Sequence, residues 1–325
     1  MNYNNCPLYG LKSKKKLKYL LHLKNNDLLH QDYISKSVSP YIDISEKKRL
    51  IEPPTEELKS VQKRIKDMLN QIVVPEYVFS GIKGRSYADN ALIHTSHQPR
   101  NIFKVDLTAF FPSISRDTVY HFFLDDLLCS PDVANILTNL TTIDLAKSNA
   151  QDINSIYTFL NSKGISCYNH LISGAPTSQI LSYLVNHNMF DEMYYYADHN
   201  NITMTVYVDD ITFSSENRIS HNFKSRILGI IKKYNFLVSK HKTKNYTKLY
   251  PKLITGVVID PTGKPKLKNS LQHSIITTLK QLKENPNDVD CQKRLTGLLC
   301  AARQIDKQSF QSILRFLNLT KTPHS

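Results

Sequence analysis

Ile202-Thr203-Met204-Thr205-Val206-Tyr207-Val208-Asp209-Asp210-Ile211-Thr212-Phe213 is the stretch on which the reading of this chain turns. Ile202, Met204, Val206 and Val208 fall on one side of an extended chain, and Thr203, Thr205, Tyr207 and Asp209 on the other. That period of two is the pattern of a half-buried strand. Asp209 and Asp210 then read as the tip of a hairpin, with Ile211 and Phe213 leading away. Adjacent carboxylates on a strand point apart, but a tight turn lets both approach one place. Asp also favours turns for conformational reasons alone, so the pair gains meaning only from its surroundings.

Upstream, Phe103, Val105 and Leu107 alternate with Ile102, Lys104 and Asp106, which predicts a second strand carrying an acid at its end. Set beside the hairpin, Asp106 would concentrate negative charge with Asp209 and Asp210. Such a cluster is costly unless divalent cations neutralise it, and hard oxygen donors suit Mg²⁺. The chemistry that follows from paired ions is in-line phosphoryl transfer, one ion activating a hydroxyl and the other stabilising the leaving oxygen.

Around these strands the chain reads as mostly helical. Lysines alternate with Leu17, Leu20 and Leu21 between Leu11 and Leu23, a pattern that suits either a helix lying on a phosphate backbone or a solvated basic helix. Thr55 caps a helix with Glu56 and Glu57 in its first turn and Leu58, Val61, Ile65, Met68 and Leu69 on its apolar face. Helices are expected at 117–128 and 131–146, the second with Ser130 as cap and Pro131 as first residue. Another follows Pro176 through Ile180, Leu181, Leu184, Val185 and Met189, and one more covers 220–234. A short strand is expected near 252–259, and Pro261, Gly263 and Pro265 suggest a boundary. Beyond it, Leu271 to Leu282, Leu295 to Leu299, and Phe310, Ile313, Leu314 and Leu317 form three helical stripes.

Composition narrows the class. Forty-two Lys and Arg against 28 Asp and Glu leave +14 on 325 residues, 41% of them hydrophobic, so the chain is neither disordered nor fibrous. A positive field of this size attracts polyanions, nucleic acid first among them. No apolar run reaches the roughly 18 residues of a membrane span. The five cysteines are odd in number and scattered, as reduced thiols in a cytoplasm would be. Cys167 with His170, and His94 with His97, are the nearest thing to a zinc signature, but structural zinc sites show tight pairs dominated by Cys. They read as ordinary buried and surface residues.

With these residues in hand the chain resembles the reverse transcriptases. Tyr207-Val208-Asp209-Asp210 matches their tyrosine-x-aspartate-aspartate hairpin, and Val105-Asp106-Leu107-Thr108-Ala109-Phe110-Phe111-Pro112-Ser113-Ile114 matches the upstream strand. Gly174-Ala175-Pro176-Thr177-Ser178, between them, is similar to the family's glycine-rich turn and helix. Within the family the likeness narrows to retron reverse transcriptases. Asn90-Ala91-Leu92-Ile93-His94 matches their Asn-Ala-x-x-His pattern, and Ile254-Thr255-Gly256 resembles their Val-Thr-Gly element. The match covers about residues 45–260.

The resemblance implies an α+β fold, a right-hand polymerase with fingers, a palm bearing a small antiparallel sheet, and a helical thumb. It divides the chain into a basic N-terminal helical segment (1–45), fingers (46–100), palm with inserted fingers helices (101–260) and thumb (261–325). It implies that Asp106 and Asp209 ligand two Mg²⁺ ions, Asp210 completes the acidic cluster and the Leu107 carbonyl adds a ligand. Phe111, with Phe110 as the neighbouring alternative, would close on the sugar 2′ position of an incoming deoxynucleoside triphosphate. Lys48 and Arg49 would meet its phosphates, and Gly174, Ala175, Pro176, Gln179 and Tyr207 would line its place. Lys242 would act at the pyrophosphate leaving group, unless it belongs to a basic stretch that binds nucleic-acid backbone. Ser173 stands where the family usually has Gln, which puts one contact near the nucleotide sugar in doubt.

For partners, the likeness implies a cognate noncoding RNA held in part by Asn90, His94, Thr255 and Gly256. Its copy would be DNA branched from an internal guanosine 2′-hydroxyl. It further implies a cytoplasmic bacterial protein, with no membrane, acting with a separate effector in anti-phage defence. A group II intron-like or abortive-infection reverse transcriptase, and a non-catalytic RNA-binding scaffold, are the alternatives.

Overall fold

The computed structural model describes residues 1–45 and 47–313. At its centre four antiparallel strands run in the spatial order Thr203–Tyr207, Asp210–Ser215, Asn101–Asp106, Lys244–Tyr246. Register is fixed by rungs that put Asp106 opposite Asp210 and Tyr207 opposite the same Asp210. One face carries Phe103, Val105, Met204, Val206, Ile211 and Phe213, all buried. Phe103 and Phe213 stack at 5.8 Å, and Phe223 of the helix His221–Lys233 meets Phe213 edge-on. The other face is polar, with Thr205, Thr212 and Ser214 also buried, because the short helix Tyr87–Leu92 and the residues after it lie across it. A sheet covered on both sides is why Ile102 and Phe103, neighbours of opposite orientation, are both buried.

The helix Glu56–Leu69 forms as its sequence requires: the Thr55 hydroxyl accepts from the Leu58 amide, and Leu58, Val61, Ile65, Met68 and Leu69 are buried. Ser130 caps Pro131–Thr141 in the same way. The expected helix 131–146 stops five residues early. Two β-branched residues, Thr141 and Thr142, mark the break, and Thr142–Asp144 pairs with Asn169–Leu171 as a two-stranded sheet. The expected helix 117–128 is Arg116–His121, continued by a wider π turn over Phe122–Asp126. The single helix expected after Pro176 is two, Ser178–Leu184 and His187–His199, separated at Val185 and Asn186. A helix that the sequence reading did not single out covers Ile153–Ser162.

The strand expected near 252–259 is a hairpin, Lys252–Ile254 and Val257–Ile259, turning at Thr255 and Gly256, both in the left-handed region. Pro265–Leu267 adds a third strand, so Pro261 and Gly263 lie in a turn within this sheet rather than at a boundary. Asn269–Glu284 and Val289–Ile305 then pack as an antiparallel pair through Ile275, Leu282, Leu295 and Leu299. Phe310 and Ile313 of the third stripe pack against that pair, while Leu314 and Leu317 lie outside the described residues. At the other end, Leu8, Leu17, Leu21, Leu28 and Ile34 join the main core, so the first 45 residues are built into it.

Candidate functional site

Asp106 closes its strand as a buried carboxylate, only 5% exposed. The neighbouring hairpin turns on Val208 and Asp209, and Asp210 is already the first residue of the returning strand. The tip is therefore one residue earlier than the sequence suggests. Val208 takes φ +58°, a left-handed conformation that costs a β-branched residue about 1–2 kcal/mol. The Leu107 amide donates to the Asp209 carbonyl at 3.0 Å, clamping the strand end to the turn. On the far side the Ser239 amide donates to the Asp106 carbonyl at 2.9 Å and the Thr108 amide to the Leu237 carbonyl at 2.7 Å. These bonds bring the 237–242 loop, and Lys242 with it, alongside the acids.

Two of the three acids bind protons more tightly than a free carboxylate, burial being the main cause. Burial, and then the charges of Asp106 and Asp210, push the Asp209 carboxyl up to about 6. Burial also raises Asp106, against the opposing pull of the Lys242 ammonium. Lys242 Nζ lies 2.8 Å from one Asp106 oxygen and donates to the other at 3.0 Å. Burial acts to lower the Lys242 ammonium, but the bond to Asp106 and the three carboxylates hold it above its usual range. Asp210 pairs with Lys104, 2.9 Å away on the same polar face.

The donor set suits a hard divalent cation. Asp106 Oδ1 is buried with no hydrogen-bond donor in line, and the nearest group to it is a cation. Among the described residues, no three His, Cys, Asp or Glu side chains close around a single point, and Asp106 and Asp210 are each paired with a lysine. Mg²⁺ is commonly held by one or two carboxylates, with water and substrate phosphates completing the shell, so an incomplete protein cage is compatible with it.

The structure separates the two phenylalanines. Phe110 is buried among Phe190 and Phe236, whereas Phe111 is half-buried at the edge of that cluster. Tyr207 is half-buried beside Asp210, and burial raises its hydroxyl. Gly174 is exposed with φ +107°, which only glycine adopts freely, and Gln179 is exposed on the first turn of Ser178–Leu184, while Ala175 is buried. Lys48 and Arg49 are exposed on a hairpin formed by Tyr41–Asp43 and Arg49–Ile51.

That hairpin is bound to the Gly174 turn by a group the sequence did not reveal. Glu52 is fully buried; one of its oxygens sits 3.0 Å from His170 Nε2, and the other accepts the Ser173 amide at 2.6 Å. The Glu52 amide donates to the Ser173 carbonyl, and the Ser173 hydroxyl donates to the Leu50 carbonyl at 3.1 Å. Ser173 therefore turns its side chain back into the hairpin that carries Lys48 and Arg49. Sequence alone pointed to His170 only as half of a weak zinc pair, and Glu52 lay within the Arg49–Pro54 stretch that resembles the family's fingers without a role of its own.

Asn90 and His94, expected to touch RNA, are each 1% exposed. The Asn90 amide donates to the Thr255 hydroxyl at 3.2 Å, which donates to the Tyr87 carbonyl at 2.7 Å. His94 bridges two strands, with Nδ1 2.8 Å from Ser214 Oγ and Nε2 2.7 Å from Thr205 Oγ1. One ring nitrogen donates and the other accepts, so a neutral ring satisfies both hydroxyls. Burial and the nearby Arg100 push its pKa down to about 3. Asn90 ties its helix to the 252–259 hairpin and His94 holds the polar face of the sheet, and both side chains are buried away from the surface. Only Gly256, with the half-buried Thr255, reaches the surface.

Comparison with known proteins points in one direction. The family model described as "Reverse transcriptase (RNA-dependent DNA polymerase)" matches residues 34–283. The Retron Se72 reverse transcriptase of Salmonella heidelberg (strain 579083-10) is 28% identical over 253 residues, which is 74% of this chain and 58% of that protein. The Retron Ec83 reverse transcriptase of Escherichia coli is 24% identical over 264 residues, 79% of each chain. The Retron Mx65 reverse transcriptase of Myxococcus xanthus is 22% identical over 276 residues, 82% of this chain and 60% of that one. The match thus spans less than two thirds of two of these three relatives.

Proposed function

This chain belongs to the reverse transcriptase family, and from that premise we propose that it is a retron-type RNA-directed DNA polymerase that copies a cognate noncoding RNA. The observation that carries the reading is the acid arrangement: Asp106 and Asp210 on one rung, Asp209 on a strained turn clamped to the Asp106 strand, and the Lys242 ammonium as the cation nearest the buried Asp106 carboxylate. Two Mg²⁺ ions, when bound, would neutralise the triphosphate and make the primer hydroxyl a better nucleophile.

The chain's own residues supply the rest. Asp106 and Asp209, with the Leu107 carbonyl, are the proposed ligands, and Asp210 stays with Lys104 to maintain the negative field. The primer oxygen bonds the α-phosphorus as pyrophosphate leaves, and Lys242 Nζ is the cation placed to meet the charge growing on that leaving group. Phe111 stands at the sugar edge, Phe110 backing it from the core. Lys48 and Arg49 are exposed and would meet the phosphates, and Gly174 to Pro176, Gln179 and Tyr207 would border the nucleotide. Synthesis from an internal guanosine 2′-hydroxyl, release of branched DNA and service to a defence effector complete the proposal.

The test is to isolate the protein with its bound nucleic acid from the native host and treat that material with a 2′–5′ debranching enzyme. A DNA strand freed from one small RNA species supports the reading. DNA that is never covalently joined to RNA, in a preparation that polymerises, would favour an intron-like or abortive-infection enzyme.

A further inference from the structure

On the outer side of the molecule, the helix Lys14–Leu21 presents a surface that the polymerase reading leaves unused. Leu17 and Leu21 are fully buried, and the Arg64 guanidinium donates to the Leu21 carbonyl at 2.8 Å. Just ahead of the helix, the Ser130 amide donates to the Leu11 carbonyl and the Ser130 hydroxyl to that of Lys12. The helix is thus fixed on one side, and its opposite side is defined by default.

That opposite side carries Lys15, Lys16 and Tyr19, positions spaced to share one helical stripe, with His22 at the C-cap. Tyr19 is 78% exposed, the most exposed large hydrophobic side chain among the described residues. His22 takes the left-handed conformation, φ +50°, and its ring lies at 24° to the Tyr19 ring with centroids 6.3 Å apart. No acid occurs between Lys12 and Lys24. Lys14 is held by Asp132 and Lys18 by Asn26, whereas Lys12, Lys15 and Lys16 have no acidic partner among the described residues. An aromatic ledge surrounded by unpaired lysines is the chemistry that receives an unpaired nucleotide: phosphates on the ammonium groups, a base on the ring. A folded protein partner would need apolar area beside the tyrosine, and the adjoining exposed residues are lysines and His22.

We propose that Tyr19 and His22, with Lys15 and Lys16, form a second RNA site that holds an unpaired stretch of the noncoding RNA on the outside of the protein. The inference rests on the reading of the chain as an RNA-copying enzyme, and the experiment keeps the two apart. The full-length protein, its cleft filled with an RNA–DNA primer hybrid, is titrated with a short single-stranded oligouridine containing 4-thiouridine, and irradiated. Crosslinks are expected in the peptide containing Tyr19 and His22. Tyr19→Ala should weaken oligouridine binding about tenfold, as loss of one stacked base does, while Tyr19→Phe keeps it within about twofold. Lys15→Ala with Lys16→Ala should lower the slope of log affinity against log salt by about 1 to 2.

A duplex of the same length should compete poorly. Primer extension on the hybrid should be unchanged in all these variants. Equal binding by wild type and Tyr19→Ala, crosslinks elsewhere, or equal loss in Tyr19→Phe would overturn the proposal. Failure of the wild-type protein to extend the hybrid would instead count against the polymerase reading, leaving the crosslink result to stand alone.

Discussion

Lowering the pH should loosen the protein through His94, because the buried ring is held neutral between two hydroxyls. The ring is buried, 2.8 Å from Ser214 Oγ and 2.7 Å from Thr205 Oγ1, with its pKa pushed down to about 3. In the unfolded chain it returns to the ordinary value of about 6.5. As the pH falls through that value the unfolded state binds a proton that the folded state refuses. The stabilisation from a neutral His94 is therefore complete above about 6.5 and drains away down to about 3. Each pH unit within that window costs about 1.4 kcal/mol, so a drop to about pH 5 removes about 2 kcal/mol. Urea unfolding of wild type and His94→Gln near pH 7.5 and near pH 5 isolates this contribution, because the other titrating groups are common to both. The wild type should lose about 2 kcal/mol more than the variant over this interval. Parallel losses would refute the placement of a neutral imidazole between the two strands. At neutral pH, His94→Ala should cost at least about 1–3 kcal/mol, since the Thr205 hydroxyl loses its partner in a buried position.

Other substitutions separate neighbours that look alike in sequence. Phe110→Ala should destabilise by about 3–5 kcal/mol in urea unfolding, because it empties the space between Phe190 and Phe236. Phe111→Ala should leave folding nearly intact and raise ribonucleotide incorporation in a single-nucleotide extension assay. Glu52→Ala strips both the His170 ring and the Ser173 amide of a buried partner, and should cost about 3–5 kcal/mol by the same unfolding measurement. Val208→Gly relieves the left-handed turn and should raise stability by about 1 kcal/mol; a loss instead would show that the valine side chain contributes more through packing than its backbone costs.

The central strands were legible because a period of two with an acid at the end is a local pattern, whereas the rung that sets Asp106 opposite Asp210 joins remote segments and shows only in the fold. The position of the turn was not legible, since nothing in the sequence says that a valine will accept φ +58° while Asp210 enters the strand. Thr141 and Thr142 ended a helix that hydrophobic spacing alone would continue, because Ile143 fits the apolar side of a helix and of a strand equally well. The Asn90 to His94 element was visible as a pattern, but its work was not. Its partners lie far away along the chain: Thr255 for Asn90, and Thr205 and Ser214 for His94. The same distance hid Glu52 and His170, 118 residues apart, whose pairing sets the Tyr41–Ile51 hairpin against the Gly174 turn. Side chains whose role is to join remote segments leave no local periodicity to read.

The most direct measurement is Mg²⁺-dependent addition of deoxythymidine triphosphate to an oligo(dT) primer on poly(rA), made with wild type and Asp209→Asn while RNA affinity is followed on the same samples. Asp209→Asn should fall by about a thousandfold or more in extension, the equivalent of about 4 kcal/mol, and bind RNA as the wild type does. An Asp209→Asn protein that extends the primer at the wild-type rate would contradict the account, because the acid at the strained turn would then have no part in the chemistry.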